Sequence, residues 1–244
     1  NATGKTSLGR ALLKIITYIN TGNPAVLFDM VAGNMGSFSM DFVNEGFVLH
    51  RLTAQLNVEA ASAEISYKSS QIDKMDSYEK CVAKLEDHTE DATSKINSLK
   101  KIIGPVSYRF ASPEIETSIL LDDIDRKIFL KTLQAVIGTL DPTLHEVAIS
   151  KDLKDTFIVR RKNTEIIIQE GKLLNREILS SGTAEGIDVA LFLASMLAKD
   201  KTFYYCDEHF SYIQSDIEKR IFGLMLDRIS NNEQLIFTTH NMDM

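Results

Sequence analysis

Apolar residues recur at helical spacing near the start of the chain. Leu8, Leu12, Ile15, Ile16 and Ile19 follow a glycine-containing stretch, so residues 1–20 read as a loop feeding a helix. Gly22, Pro24, Gly33 and Gly36 mark residues 21–36 as loop. From Phe38 to about Tyr67 the texture changes. Phe38, Met40 and Phe42 alternate with polar residues, Asn44-Glu45-Gly46 is a turn, and Phe47, Leu49 and Arg51 follow, which predicts a small antiparallel sheet. Beyond it, Met75, Tyr78, Val82, Leu85, Thr89, Ala92, Ile96, Leu99 and Ile103 keep a 3-4 spacing until Gly104-Pro105. Residues 68–103 therefore read as a helical or coiled-coil insertion, either a projecting arm or an amphipathic helix packed on the core.

The last part of the chain alternates element types. Residues 121–140 form an amphipathic helix, and Phe157-Ile158-Val159 and Ile166-Ile167-Ile168 flank a polar turn as in a hairpin. Residues 184–199 read as a helix rich in Ala, Leu and Met. Phe203-Tyr204-Tyr205-Cys206 is a short apolar strand, residues 215–230 another helix, and Leu235-Ile236-Phe237 another strand. Helix, strand, helix, strand is the order of a mixed, mainly parallel sheet covered by helices, so the fold class is α/β.

Composition narrows the classes. With 244 residues, 44% hydrophobic and 25% charged, the chain suits one α/β domain carrying an insertion. A formal charge of -7 gives bulk nucleic-acid binding no support, although Arg160, Arg161 and Lys162 form a local basic run that makes DNA a candidate partner. No apolar run approaches the roughly 18 residues of a membrane span, and no signal peptide opens the chain. Two distant cysteines, Cys81 and Cys206, fit a reducing cytoplasm.

Four short stretches carry chemistry. Asn1-Ala2-Thr3-Gly4-Lys5-Thr6, followed by Ser7, matches the end of G-x-x-x-x-G-K-[ST]. Gly4 lets backbone N–H groups face a phosphate at a helix start, Lys5 reaches the β- and γ-phosphates of ATP, and the Thr6 hydroxyl binds Mg²⁺. Phe203 to Glu208 is an apolar strand ending in two acids. Asp207 is placed to hold Mg²⁺ and Glu208 to deprotonate an attacking water, at the strand edge where α/β sheets bind ligands. Leu179-Ser180-Ser181-Gly182-Thr183 opens a helix, where Ser180 and the N–H groups of Ser181 and Gly182 suit a γ-phosphate. The same residues also suit a plain helix cap, and Glu185 adds to that second reading. Leu235 to His240 is an apolar strand ending in histidine.

Taken in this order, the four stretches resemble the P-loop, signature, Walker B and switch-histidine motifs of ABC ATPases. The resemblance extends to the class containing structural-maintenance-of-chromosomes (SMC) proteins, RecF-type repair ATPases and the OLD family. Within it, Ser-Ser-Gly-Thr-Ala-Glu-Gly-Ile and Asp-Glu-His-Phe-Ser-Tyr-Ile are similar to AAA_15 ATPases of anti-phage systems such as PARIS and Septu. It implies an ABC ATPase head over residues 1–244, with its first strand upstream of Asn1 and further chain beyond Met244. It also implies catalytic Glu208 and His240, a homo-oligomer at least a head-to-tail dimer, and a nuclease or toxin effector. The alternative within the class is a repair or chromosome-structure ATPase that clamps DNA. The sequence departs from the pattern at Gln214, where many relatives carry an acidic residue. Gln55 and Gln71 are the candidates for the Q-loop glutamine.

Overall fold

The computed structural model describes residues 4–44, 46–87, 94, 97, 100–101, 108–111, 125–161, 164–170, 172–174, 176–198, 203–208 and 210–239. They form two compact units, Arg10–Val106 and a second made of Asn1–Gly9 with Ser107–Met244.

In the Arg10–Val106 unit, strands β1 (Met35–Val43), β2 (Val48–Asn57), β3 (Ser62–Gln71) and β4 (Glu86–Asp87) make an antiparallel sheet in sequence order. Period-2 patterning sends Leu52, Ala54 and Leu56 of β2 and Ile65 and Tyr67 of β3 inward. They pack against Ile15, Tyr18 and Ile19 of helix α1 (Lys5–Thr21) and Leu27 of the short α2 (Ala25–Phe28). The helical insertion expected over residues 68–103 does not begin where the spacing placed it. Lys68 to Gln71 belong to β3, helix α3 spans only Tyr78–Ala83, and β4 follows. The first two apolar positions of the predicted seam, Met75 and Tyr78, are 85% and 58% exposed. Tyr78 donates to Asp41 (2.6 Å) and accepts from Arg51 (3.1 Å), so it serves a polar network on the sheet and not a seam. Residues 94, 97, 100 and 101 are helical, and the rest of that stretch lies outside the described residues.

The other unit is layered. Strand β10 (Phe203–Asp207) lies between β11 (Gln234–Thr238) and β5 (Tyr108–Ala111), parallel to both. Strands β6 (Leu144–Ile149), β7 (Thr156–Arg161), β8 (Thr164–Gln169) and β9 (Lys172–Leu173) form an antiparallel meander. Helix α4 (Arg126–Leu140) is capped by Asp125, whose carboxylate accepts the amides of Lys127 and Ile128. Helix α5 (Ser181–Ala198) is apolar almost all round. It is long and apolar enough to cross a membrane by length and composition, but 72% of it is buried and it is the central helix of this core. Gly186 of α5 lets Leu140 close in, since a methyl group there would run into the leucine side chain. Helix α6 (Ser215–Arg228) completes the unit. Of the basic run, Arg160 is held between Glu146 (2.9 Å) and Glu165 (3.1 Å), which neutralises it locally, and Lys162 lies outside the described residues. Cys81 and Cys206 are buried and are not joined in a disulfide.

Candidate functional site

Four of the predicted residues meet at one place within the Asn1–Gly9 and Ser107–Met244 unit. Gly4 has φ +129°, a conformation that side chains rarely adopt, and its carbonyl accepts the Leu8 amide (2.8 Å) to close the first turn of α1. Lys5, Thr6 and Ser7 therefore occupy the turn whose amides have no partner inside the helix. Gly4 and Ser7 are exposed, and Lys5 and Thr6 are half-buried.

The acids come from the C-terminal end of β10. Asp207 is 1% exposed and accepts the hydroxyls of Thr6 (2.5 Å) and of Thr238 on the neighbouring strand (2.8 Å). Glu208, the next residue, has φ 50°. On a continuing strand two successive side chains point to opposite faces. The left-handed residue breaks that alternation, so Asp207 reaches Thr6 while Glu208 reaches Lys5, with Nζ 3.0 Å from Oε1. The Glu208 amide donates to both the carbonyl and the hydroxyl of Thr238, each at 3.1 Å, and these bonds hold the turn. Lys5 also donates to the Thr239 carbonyl (3.4 Å).

Three further residues complete this centre, although the sequence reading gave them no role. Tyr205 is buried in β10 and donates its phenol to the Lys5 carbonyl (2.6 Å). Burial, and then the charges of Asp207 and Glu208, push that phenol up, which keeps it a donor. Thr238 bridges the two acids as described, and Thr239 donates to the buried Glu218 (2.6 Å). The visible signal for both threonines was their place at the end of the apolar strand before His240. Glu208, Ser211, Ser215, Glu218 and Thr239 line a cavity of about 240 Å³, room for water beside the Glu208 carboxylate.

The signature stretch sits at the start of α5. Ser180 is exposed, and its hydroxyl accepts the Thr183 amide (3.2 Å) and lies 2.8 Å from the Thr183 hydroxyl. The capping reading is thus realised. Glu185 takes no part in the cap, because its carboxylate accepts the amide of Tyr212 (3.0 Å). Gly182 lies against the same residue: a Cβ there would stand 2.6 Å from the Tyr212 carbonyl oxygen. Ser181 is exposed. Asn1, Ala2, Thr3 and His240 lie outside the described residues. Gln55 and Gln71 belong to the Arg10–Val106 unit, where Gln71 donates to the carbonyls of Gly46 (3.1 Å) and Phe47 (3.2 Å).

Thr6 and Asp207 supply hard oxygen donors side by side. Mg²⁺ takes one or two such protein oxygens and completes its shell with phosphate and water, so these residues fit that ion. Among the described residues there is no cluster of three or more His, Cys, Asp or Glu side chains that would hold a metal without a substrate.

No protein-family model and no curated protein matches the chain. Solved structures do. A crystal structure of SmcHead bound to the C-winged helix domain of ScpA is similar over 99% of this chain and 80% of its own, with a TM-score of 0.56 and 17% identity. An SMC head domain from Thermotoga maritima is similar over 94% of this chain and 74% of its own, with a TM-score of 0.44 and 16% identity. On the first of these likenesses, the fold of this chain is that of an SMC head domain.

Proposed function

We propose that the chain binds and hydrolyses ATP. One observation carries the reading: Lys5 and Thr6, at the start of one helix, each contact one of two consecutive acids at the end of a buried parallel strand. A triphosphate entering at Gly4 meets the first-turn amides of α1, which have no partner within the helix, and the Lys5 ammonium. Thr6 and Asp207 are the residues that would hold Mg²⁺, which when bound neutralises charge on the β- and γ-phosphate oxygens. Glu208 orients the attacking water and accepts its proton as the water oxygen bonds to the γ-phosphorus and the bond to the ADP oxygen breaks. Calorimetric titration of Mg·ATP tests the site. Lys5→Ala removes the main cationic partner of the phosphates, and unchanged affinity would sink the assignment.

The ABC resemblance further implies that Ser180, Ser181 and Gly182 of one subunit close over ATP held by Lys5 and Thr6 of another. A γ-phosphate between two helix N-termini ties two surfaces only while it is present. Ser180→Arg should then leave ATP binding intact and block hydrolysis. Mixing Ser180→Arg with Lys5→Ala subunits should restore part of the activity, because both lesions fall in one of the two composite sites. Crosslinking should join the Lys5 region of one chain to the signature of another, and if those motifs never meet across an interface the arrangement is wrong.

The finer role, a regulatory ATPase of an anti-phage complex with a nuclease or toxin effector, rests on the sequence resemblance of residues 180–187 and 207–213. Co-purification with the product of an adjacent nuclease or toxin gene tests it. ATPase stimulation by DNA with no such companion would point to the DNA-clamp alternative instead.

A further inference from the structure

Glu185 is, with Glu218 and Asp155, a buried acid that this mechanism does not use. It lies one turn into α5 and is 2% exposed, with Asp188 and Arg176 as its charged neighbours. One carboxylate oxygen accepts the Tyr212 amide at 3.0 Å. The other, Oε1, is buried and has no hydrogen-bond partner among the described residues. A helix core has no structural need for such a group. An apolar side chain would fill the position without the desolvation penalty that a half-satisfied carboxyl carries.

What the carboxyl holds is the turn that follows Glu208. The Ser211 hydroxyl donates to the Glu208 carbonyl (2.9 Å), and the Ile213 amide donates to the Phe210 carbonyl (3.0 Å). Phe210 and Ile213 are buried and anchor the turn on either side of the exposed Tyr212. The Tyr212 backbone is held to α5 by one hydrogen bond, from its amide to Glu185, and its carbonyl packs close to Gly182, where no side chain fits. The start of α5 and the turn after Glu208 are therefore linked by a backbone-to-side-chain hydrogen bond and packed closely at Gly182.

We propose that Glu185 is a positioning residue for ATP hydrolysis: by holding the Tyr212 amide it makes Glu208 and the Ser180–Gly182 stretch respond to nucleotide as one piece. The inference rests on the ATPase reading above. It gives the chain a physical link between the base of its own site and the signature that serves the other site.

Two conservative variants separate reach from charge. Glu185→Gln keeps the length and an oxygen acceptor for the Tyr212 amide. Glu185→Asp keeps the charge and is one methylene too short. ATP affinity, kcat and KM are measured for both, with amide hydrogen exchange at Ser211 and Tyr212 and with Glu208→Gln as control. Glu185→Asp should lose about tenfold in kcat, the scale of one hydrogen bond to a charged group. It should bind ATP as the wild type does and exchange the Tyr212 amide faster. Glu185→Gln should retain kcat within about threefold and keep the amide protected. The inference is overturned if Glu185→Asp turns over normally, if Glu185→Gln loses as much as Glu185→Asp, or if ATP binding falls in parallel with kcat. Failure of the ATPase reading looks different. The wild type would then hydrolyse no faster than the Glu208→Gln control, and the inference would fall with it.

Discussion

Replacing Glu208 by glutamine changes two quantities in opposite directions. The Glu208 carboxylate stands 3.0 Å from the Lys5 ammonium, with their side chains 17% and 37% exposed. A phosphate that claims Lys5 must first displace that carboxylate. Pairs this accessible to water are worth about 0.5–1 kcal/mol, since solvent screens them. Removing the competitor should therefore tighten Mg·ATP binding by about two- to fivefold. The gain should shrink with added salt. Lys5 keeps its bond to the Thr239 carbonyl, so the variant does not release the side chain altogether. Hydrolysis should fall by roughly 10²-fold or more, the scale of losing a general base. A fluorescent ATP analogue titrated into both proteins reads the first effect and single-turnover phosphate release reads the second. Binding weakened by more than about twofold would refute the competition between carboxylate and phosphate for Lys5. Unchanged turnover would remove Glu208 from the role of base.

Stability should depend on pH through Glu185. Burial pushes its carboxyl up to about 7 from an ordinary 4.5, with Asp188 adding to the rise and the Tyr212 and Ser211 amides and Arg176 opposing it. The folded chain then holds a proton that the unfolded chain has lost, so this contribution is full below 4.5 and disappears as pH rises to about 7. Asp188, pushed up to about 6 by burial, titrates in the same direction. Urea unfolding of wild type and Glu185→Gln between pH 5 and 8 should show the variant gaining about 2–3 kcal/mol relative to wild type across the window. A constant difference would refute the shift. Gly182→Ala sets a methyl group 2.6 Å from the Tyr212 carbonyl oxygen, so the turn must move by some tenths of an ångström. A loss of about 1–3 kcal/mol in urea unfolding is expected, and a wild-type midpoint would mean that the turn yields freely.

The elements that carry the candidate site were legible because each is short, apolar and punctuated by its own chemistry. Phe203 to Cys206 read as an apolar strand ending in two acids, and Tyr204, Tyr205 and Cys206 are buried. The hairpin at Ile158 and Ile167 and the sheet from Phe38 onward showed their period directly. Other features depended on partners far away in sequence. Strand β5 is a four-residue piece recognisable only by its pairing with β10. The 3-4 spacing from Met75 placed the start of the insertion too early, because spacing records which residues are apolar and not what covers them, and Met75 and Tyr78 face solvent. Glu185 fitted a helix-capping pattern, yet its actual partner is 27 residues on. Tyr205 read as one more apolar strand position, and its hydroxyl found the Lys5 carbonyl instead.

The left-handed backbone at Glu208 sets stability and chemistry against each other. A glutamate at φ 50° is held in a conformation that glycine adopts freely, at a cost of order 1 kcal/mol or more. A laboratory search for hardier forms of this protein, blind to activity, should therefore find Glu208→Gly attractive. The protein so obtained would keep its sheet, its helices and its Thr6–Asp207 bond while lacking the carboxylate assigned to the attacking water. Persistence of glutamate at this position in a parallel search that selects for ATP hydrolysis as well as stability would measure how much the chain depends on that carboxylate.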